Sequence, residues 1–184
     1  MDAEQTVLGI IHAYGGPLEG RTYLQKVTYF VSRLLRLRAG FEPHYYGPHS
    51  RVVSSKVDSA VSNGILTEAR DSFGGRRSPG QFEHVRYRYE LSRMGRAYVR
   101  GLERLDEQGF RKVAEIVQRI RGTGVDYRQL SCAAKVDYLL TATGGRITRR
   151  RAKEEAKKVG WHLSDRDIET AVDILEKLGI AKRS

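Results

Sequence analysis

The chain has 184 residues and a formal net charge of +11, from 33 Lys and Arg against 22 Asp and Glu. That length suits one domain with an appendage, or two small domains, with room for a respectable core. Its single cysteine excludes an internal disulfide and any zinc cluster built on cysteines, and so basic a chain points to a polyanionic partner, nucleic acid first.

No apolar run approaches the roughly 18 residues that a membrane span needs. The opening "MDAEQTVLGIIHAYGG" has acidic residues early and neither a basic start nor a cleavage site, so it does not read as a signal peptide. The expected compartment is the cytoplasm.

In "EQTVLGIIHAY" the apolar residues Val7, Leu8, Ile10, Ile11 and Tyr14 have helical spacing, closed by Gly15, Gly16 and Pro17. "GRTYLQKVTYFVSRLLRLRAG" carries a wide apolar stripe from Leu24 to Leu37 and predicts a second helix with Gly40 as its stop. Phe41 to Tyr46 follows as a short aromatic edge strand, in which Tyr45 and Tyr46 are expected to pack on the second helix. Gly47 and Pro48 then make a turn, and Pro48 is expected to start a third helix that runs to about Asn63. That helix sets Val53, Val57, Ala60 and Val61 on one face and Arg51, Ser54, Ser55, Asp58 and Ser62 on the other.

"ILTEARD" reads as a strand, "SFGGRRSPGQFEH" as a loop, and "VRYRYELS" as a half-buried strand by its alternation. The order helix, helix, short strand, helix, hairpin is that of a winged helix-turn-helix. "SRMGRAYVRGLERLDEQGFRKVAEIVQRIRG" predicts one or two helices with Gly109 as a possible break. Three more follow: "LSCAAKVDYLLTAT", with Cys132 as a buried core thiol, then "TRRRAKEEAKKVG" and "SDRDIETAVDILEKLG". Thr148 and Ser164 are their N-caps, and Asp167 completes a capping-box spacing with Ser164. The gapless echo between "VDSAVSNGI" and "VDILEKLGI" is explained by chance or a shared way of ending a helix about as well as by duplication, and two helix-turn-helix units are the expectation.

The expected fold is therefore mainly α with a small β-hairpin wing: a winged helix-turn-helix over 1–100, a connecting helix over 101–126, and a helical HTH-like unit over 127–184. No catalytic motif proposes itself. The histidines are scattered, with only His44 and His49 close, so neither a metal nor an organic cofactor is expected, and no enzyme activity.

Duplex DNA is the expected partner. Arg70, Arg76, Arg77, Arg86, Arg88, Arg93, Arg96 and Arg100 outnumber Asp71, Glu83 and Glu90, and Arg76 and Arg77 fall at the wing tip. Ser50, Arg51, Ser54, Ser55 and Lys56 give the third helix a face that suits a major groove. Arg149, Arg150, Arg151 and Lys153 open a later helix as a second basic patch. Tyr98, Leu102 and Leu105 are spaced for packing between the two units or for a homodimer contact.

"GRTYLQKVTYFVSRLL", "FEPHYYGPHSRVVSSKVDSAVSNGIL" and "YRYELSRMGRAYV" resemble the YwgA-like family of bacterial and archaeal winged-helix proteins, over Gly20 to Val99. Leu24-Gln25-Lys26 and Tyr46-Gly47-Pro48 are the most specific marks. "LSCAAKVDYLL" and "GWHLSDRDIETAVDILEKLGI" are similar to that family's tail. The paired marks are also similar, more distantly, to the Panacea antitoxin domain. That resemblance implies a scaffold that neutralises a toxin by direct binding, with the aromatic and Leu-Gln-Lys surface as its interface. The rival to a DNA-binding regulator is thus an antitoxin or adaptor of a toxin or defence system. A basic winged helix gripping RNA is a third reading.

Overall fold

The structure is a computed structural model and describes residues 1–73, 84–145 and 147–181. It is mainly helical. Among the described residues the elements run α1 (Ala3–Tyr14), β1 (Leu18–Glu19), α2 (Arg21–Leu35), β2 (Phe41–Glu42), β3 (His49–Ser50), α3 (Arg51–Ser62), β4 (Leu66–Phe73), β5 (His84–Leu91), α4 (Arg93–Leu105), α5 (Glu107–Gly122), α6 (Tyr127–Ala142), α7 (Arg149–Lys158) and α8 (Asp165–Lys177). None of these helices is long and apolar enough to cross a membrane.

α2 is the central helix. Every residue from Leu24 to Ser32 is buried, with α1, α3, α5 and α6 packed around it. It ends at Arg36 in the left-handed conformation (φ 56°), not at Gly40, because Leu37 N–H reaches back to the Ser32 carbonyl at 2.8 Å and closes the last turn. α1 is held by a reciprocal Asp2–Gln5 capping box and buries Val7, Leu8, Ile10 and Ile11.

β4 and β5 form an antiparallel hairpin in register from Leu66↔Leu91 to Phe73↔His84. The two-residue β1 adds to the other side of β5, with Leu18 opposite Tyr89, so the sheet order is β1-β5-β4. Leu18, Leu66, Tyr89 and Leu91 carry its buried face into the core.

α3 turns into β4 through Gly64 (φ 68°), where Ile65 N–H bonds the Ala60 carbonyl at 2.9 Å. α8 ends the same way: Gly179 has φ 72° and Ile180 N–H bonds the Leu175 carbonyl at 2.8 Å. The two segments of the echo thus share a Schellman ending. The start of α4 docks against that first turn. Ser92 Oγ donates to the Gly64 carbonyl at 2.6 Å, and a Cβ on Gly95 would lie 2.0 Å from the Ile65 carbonyl oxygen.

α4 and α5 are separate helices, and the break is at Asp106, three residues before Gly109. The Asp106 carboxylate caps Gly109 N–H at 3.0 Å, a position where a side chain at 109 would collide with it. α6 packs on α8 and on α2. Thr148 and Ser164 cap α7 and α8 as their spacing predicts. Cys132 is half-buried against the core rather than enclosed, its Sγ 3.8 Å from Asp167.

Candidate nucleic-acid interface

Between α2 and α3 the chain makes a tight hairpin, β2–β3, with Phe41 opposite Ser50 and Glu42 opposite His49. The helix after it starts at Arg51, three residues beyond Pro48. Ser50 is the reason: its Oγ accepts Val53 N–H at 3.1 Å and donates to the Ala39 carbonyl. Ser50 is completely buried, which removes it from any interface.

Two side chains of α2 hold this hairpin. Gln25 accepts Ser50 N–H at 3.0 Å and returns its own N–H to the Ser50 carbonyl and Ser54 Oγ, each at 3.0 Å. Lys26, 1% exposed, donates from Nζ to the Pro48 carbonyl at 2.6 Å. Burial, with the nearby Lys135 ammonium adding to it, brings the Lys26 pKa down to about 7. Gly47 (φ 99°) closes the arrangement, because a Cβ there would come within 3.2 Å of Lys135 Cγ and 3.3 Å of Lys26 Cε. The Leu-Gln-Lys and Tyr-Gly-Pro marks are thus two halves of one clamp. Leu24, Gln25 and Lys26 are all buried, so they form no exposed binding surface.

The tyrosines of this hairpin also differ from expectation. Tyr45 is 74% exposed and Tyr46 51%, so neither belongs to the core. Phe41 takes that place instead, edge-on to Tyr29 with ring centroids 5.1 Å apart. From the other end of the chain, the buried Trp161 donates Nε1–H to the His44 carbonyl at 2.7 Å, a contact no sequence signal announced.

α3 presents its polar face outward. A shallow groove of about 510 Å³ runs along it, lined by His49, Arg51, Ser54, Ser55, Asp58 and Ser62 among others. Arg51 and Ser55 are exposed. Ser54 is half-buried, taken up by Gln25 and by His49 Nε2 at 3.1 Å. Lys56 leans away from the groove to Glu4 at 3.3 Å. Burial and the neighbouring His44, Lys26 and Arg51 hold His49 below the usual imidazole range, so it is neutral at pH 7.

Next to α3 lies a second polar cluster. Glu68 accepts from Arg21 at 2.9 Å, Arg70 at 2.8 Å and the Tyr89 hydroxyl at 2.9 Å. Burial opposes its charge, but these donors together hold its carboxyl below the usual range. Arg21 also stacks over the Tyr87 ring at 4.2 Å and reaches Asp58 of α3 at 3.6 Å. The cluster ties α2, α3 and the sheet into a fixed relation.

Arg76 and Arg77 lie outside the described residues. On α7, Arg149 pairs with Glu169 at 2.8 Å and Arg150 with Glu154 at 2.9 Å, and Lys153 pairs with Asp165 at 2.7 Å. Arg151 is exposed and acts electrostatically on Glu155 one turn further on. Such surface pairs contribute about 0–1 kcal/mol each, and they reduce the net charge of the patch. Among the described residues no three His, Cys, Asp or Glu side chains are grouped to hold a metal ion.

No family model matches the chain. It is 26% identical over 97 residues to an uncharacterized protein, YwgA, of Bacillus subtilis strain 168, a match covering 52% of this chain and 54% of that protein. The match thus spans about half the length of the curated relative. It is a likeness to a protein without an assigned activity.

Proposed function

We propose that the chain is a winged-helix protein that binds duplex DNA and acts as a transcriptional regulator, with α3 as its recognition helix and the β4–β5 hairpin as its wing. The observation that carries this reading is topological. The order α1-β1-α2-β2-β3-α3-β4-β5, with sheet order β1-β5-β4 and β2-β3 as a separate hairpin, sets the outward face of α3 beside the β4–β5 hairpin. On that face Arg51 and Ser55 supply a guanidinium and a small hydroxyl suited to base edges or phosphates. Arg70, Arg86 and Arg88 on the hairpin, with Arg76 and Arg77 between its strands in sequence, supply the backbone grip.

The test is binding to a random-sequence duplex by fluorescence anisotropy across a salt series. The wild type is expected to lose affinity linearly in log–log form, at about −0.9 per phosphate contacted. Changing Arg51, Arg76 and Arg77 to Ala flattens that slope by about one per lost contact. Absence of binding at low salt overturns the reading.

A second reading, an antitoxin-like or adaptor module for a toxin or defence component, is favoured by α4. Met94, Tyr98 and Leu105 lie on one stripe of it at 56%, 44% and 86% exposure. Leu102 turns inward and packs against the core. Arg93, Arg100 and Arg104 line one edge of the stripe, so an acidic partner suits it better than a second copy, which would bring those arginines together.

A further inference from the structure

We infer that the β2–β3 hairpin is a rigid aromatic platform that stacks on unpaired DNA bases at the edge of the duplex held by α3. The inference rests on the winged-helix reading and adds a ligand feature to it, namely single-stranded or mispaired bases beside the bound duplex.

Tyr45 and Tyr46 are the most exposed aromatic residues among those described. Their rings stand edge to face, centroids 4.8 Å apart and planes at 89°, so each braces the other while ring surface stays open to solvent. Exposed aromatic rings are common at loop tips that move. This loop is instead fixed at every step of its base. The His44 carbonyl accepts from Trp161 Nε1 at 2.7 Å and from Gly47 N–H at 2.8 Å. The Pro48 carbonyl accepts from Lys26, and both backbone groups of Ser50 are held by Gln25. Gly47 itself sits against Lys26, Lys135 and the Ser131 carbonyl. Rings held out on so constrained a base lose little conformational freedom on binding, which is what distinguishes a recognition anchor from a stray surface residue.

The surroundings select the ligand. The His44 and His49 rings lie 5.0 Å apart at the foot of the platform, and His49 contacts Ser54, so the aromatic surface continues into the α3 groove and to Arg51. Planar rings beside a guanidinium and two imidazole rings match bases next to a phosphate backbone. Glu42 is the one carboxylate of the hairpin, and its backbone pairs with His49 at the hairpin's foot. An acidic apolar protein surface would gain Arg51 and the half-buried Lys135 here, whereas α4 offers it three exposed arginines.

The experiment compares two probes: a blunt duplex, and the same duplex with a short central bubble carrying 2-aminopurine. Wild type, the Tyr45→Ala/Tyr46→Ala double variant and the Tyr45→Phe/Tyr46→Phe double variant are titrated with each. The wild type is expected to bind the bubble about tenfold tighter than the blunt duplex and to quench the 2-aminopurine. The Ala variant is expected to lose that preference and the quenching while binding blunt duplex within about twofold of wild type, and the Phe variant to retain both. Equal affinity of the wild type for the two probes overturns the platform and leaves the duplex reading intact. An equal loss on both probes in the Ala variant also overturns it, since the tyrosines would then serve the duplex itself. Failure of the wild type to bind either probe overturns the duplex reading, and the platform with it. Thermal melting of each variant, expected to match wild type because both side chains are exposed, separates lost binding from lost fold.

Discussion

Lys26 of α2 and Pro48 of the β2–β3 hairpin are joined by a 2.6 Å hydrogen bond from a side chain that is 1% exposed. Together with Gln25 and Ser50, this bond decides where α3 begins and so where its polar face points. A buried amine next to a second lysine is an unusual choice for a structural tether, and it makes the tether sensitive to pH. In the unfolded chain the amine titrates near 10.5, and in the fold at about 7. Between those values the unfolded state holds more protons, so stability from this group rises with pH and is lost as pH falls toward 7. Lys26→Met removes that dependence but leaves the Pro48 carbonyl without its donor. The variant is expected to be less stable than wild type by about 1–3 kcal/mol at pH 9, with the gap narrowing or reversing at pH 6. Lys135, also held low by burial, remains in both proteins, and because its ammonium acts on Lys26 part of the pH dependence that the substitution removes belongs to that pair. Urea unfolding at the two pH values reads the difference.

Gly47 gives a sharper test of the clamp. Gly47→Ala forces a side chain onto a left-handed residue and against Lys135, Lys26 and the Ser131 carbonyl, and is expected to cost about 2–3 kcal/mol. Gly15→Ala meets the same backbone penalty with nothing within 4 Å, and is expected to cost only about 1 kcal/mol. Equal losses in the two variants would show that crowding at the hairpin is unimportant.

Asp137 binds the C-terminal helices to α2. It is 1% exposed on α6, accepting from the Tyr29 hydroxyl at 2.8 Å and Arg33 Nε at 3.2 Å. Burial raises its carboxyl above the usual range despite these donors. Asp137→Ala strands the buried Tyr29 hydroxyl and is expected to cost about 2–4 kcal/mol, whereas Asp137→Asn keeps an acceptor and loses less. Arg33→Ala leaves the buried Asp137 carboxyl with the Tyr29 hydroxyl alone and is expected to cost about 1–3 kcal/mol, less than Asp137→Ala. Chemical denaturation of the three variants ranks them.

The α4 stripe separates the two functional readings. Tyr98→Asp/Leu105→Asp places charge on an exposed face, where Leu105 is 86% and Tyr98 44% exposed, and thermal melting is expected to show the fold retained. Under the duplex reading the variant binds DNA like wild type within about threefold, because the added charge is partly screened at physiological salt. Under the adaptor reading it fails to co-purify with a co-expressed product of the neighbouring gene, while wild type succeeds.

Much of this architecture is legible in the sequence, and the gaps have physical causes. Apolar periodicity marks the helices, alternation marks β5, and Thr148 and Ser164 announce their caps. β1 is two residues long and carries no pattern of its own. Its pairing exists only because β5 offers an open edge. Ser50 sits where an N-cap serine and a groove-facing serine look alike, and only its bonds to Val53 and Ala39 separate them. Gln25 and Lys26 are polar residues interrupting an apolar stripe, and their partners lie in a loop more than twenty positions away in sequence. Conversely, Tyr45 and Tyr46 read as core because aromatics usually are, while Phe41 claims the single packing place on α2. The candidate site was therefore legible in its helix but not in its clamp, which depends on contacts between residues about 20 to 120 positions apart.

The most direct test of the central claim places α3 in the groove of DNA. Ser55→Cys, in a chain with Cys132→Ser, is mixed with a duplex carrying a thiol tethered to a major-groove base edge, alongside a control with Glu115→Cys on the exposed side of α5. Disulfide capture by position 55 at a much higher yield than by position 115, and falling with salt, is the predicted result. Equal capture at the two positions, or capture at 115 alone, would contradict the assignment of α3 as the recognition helix.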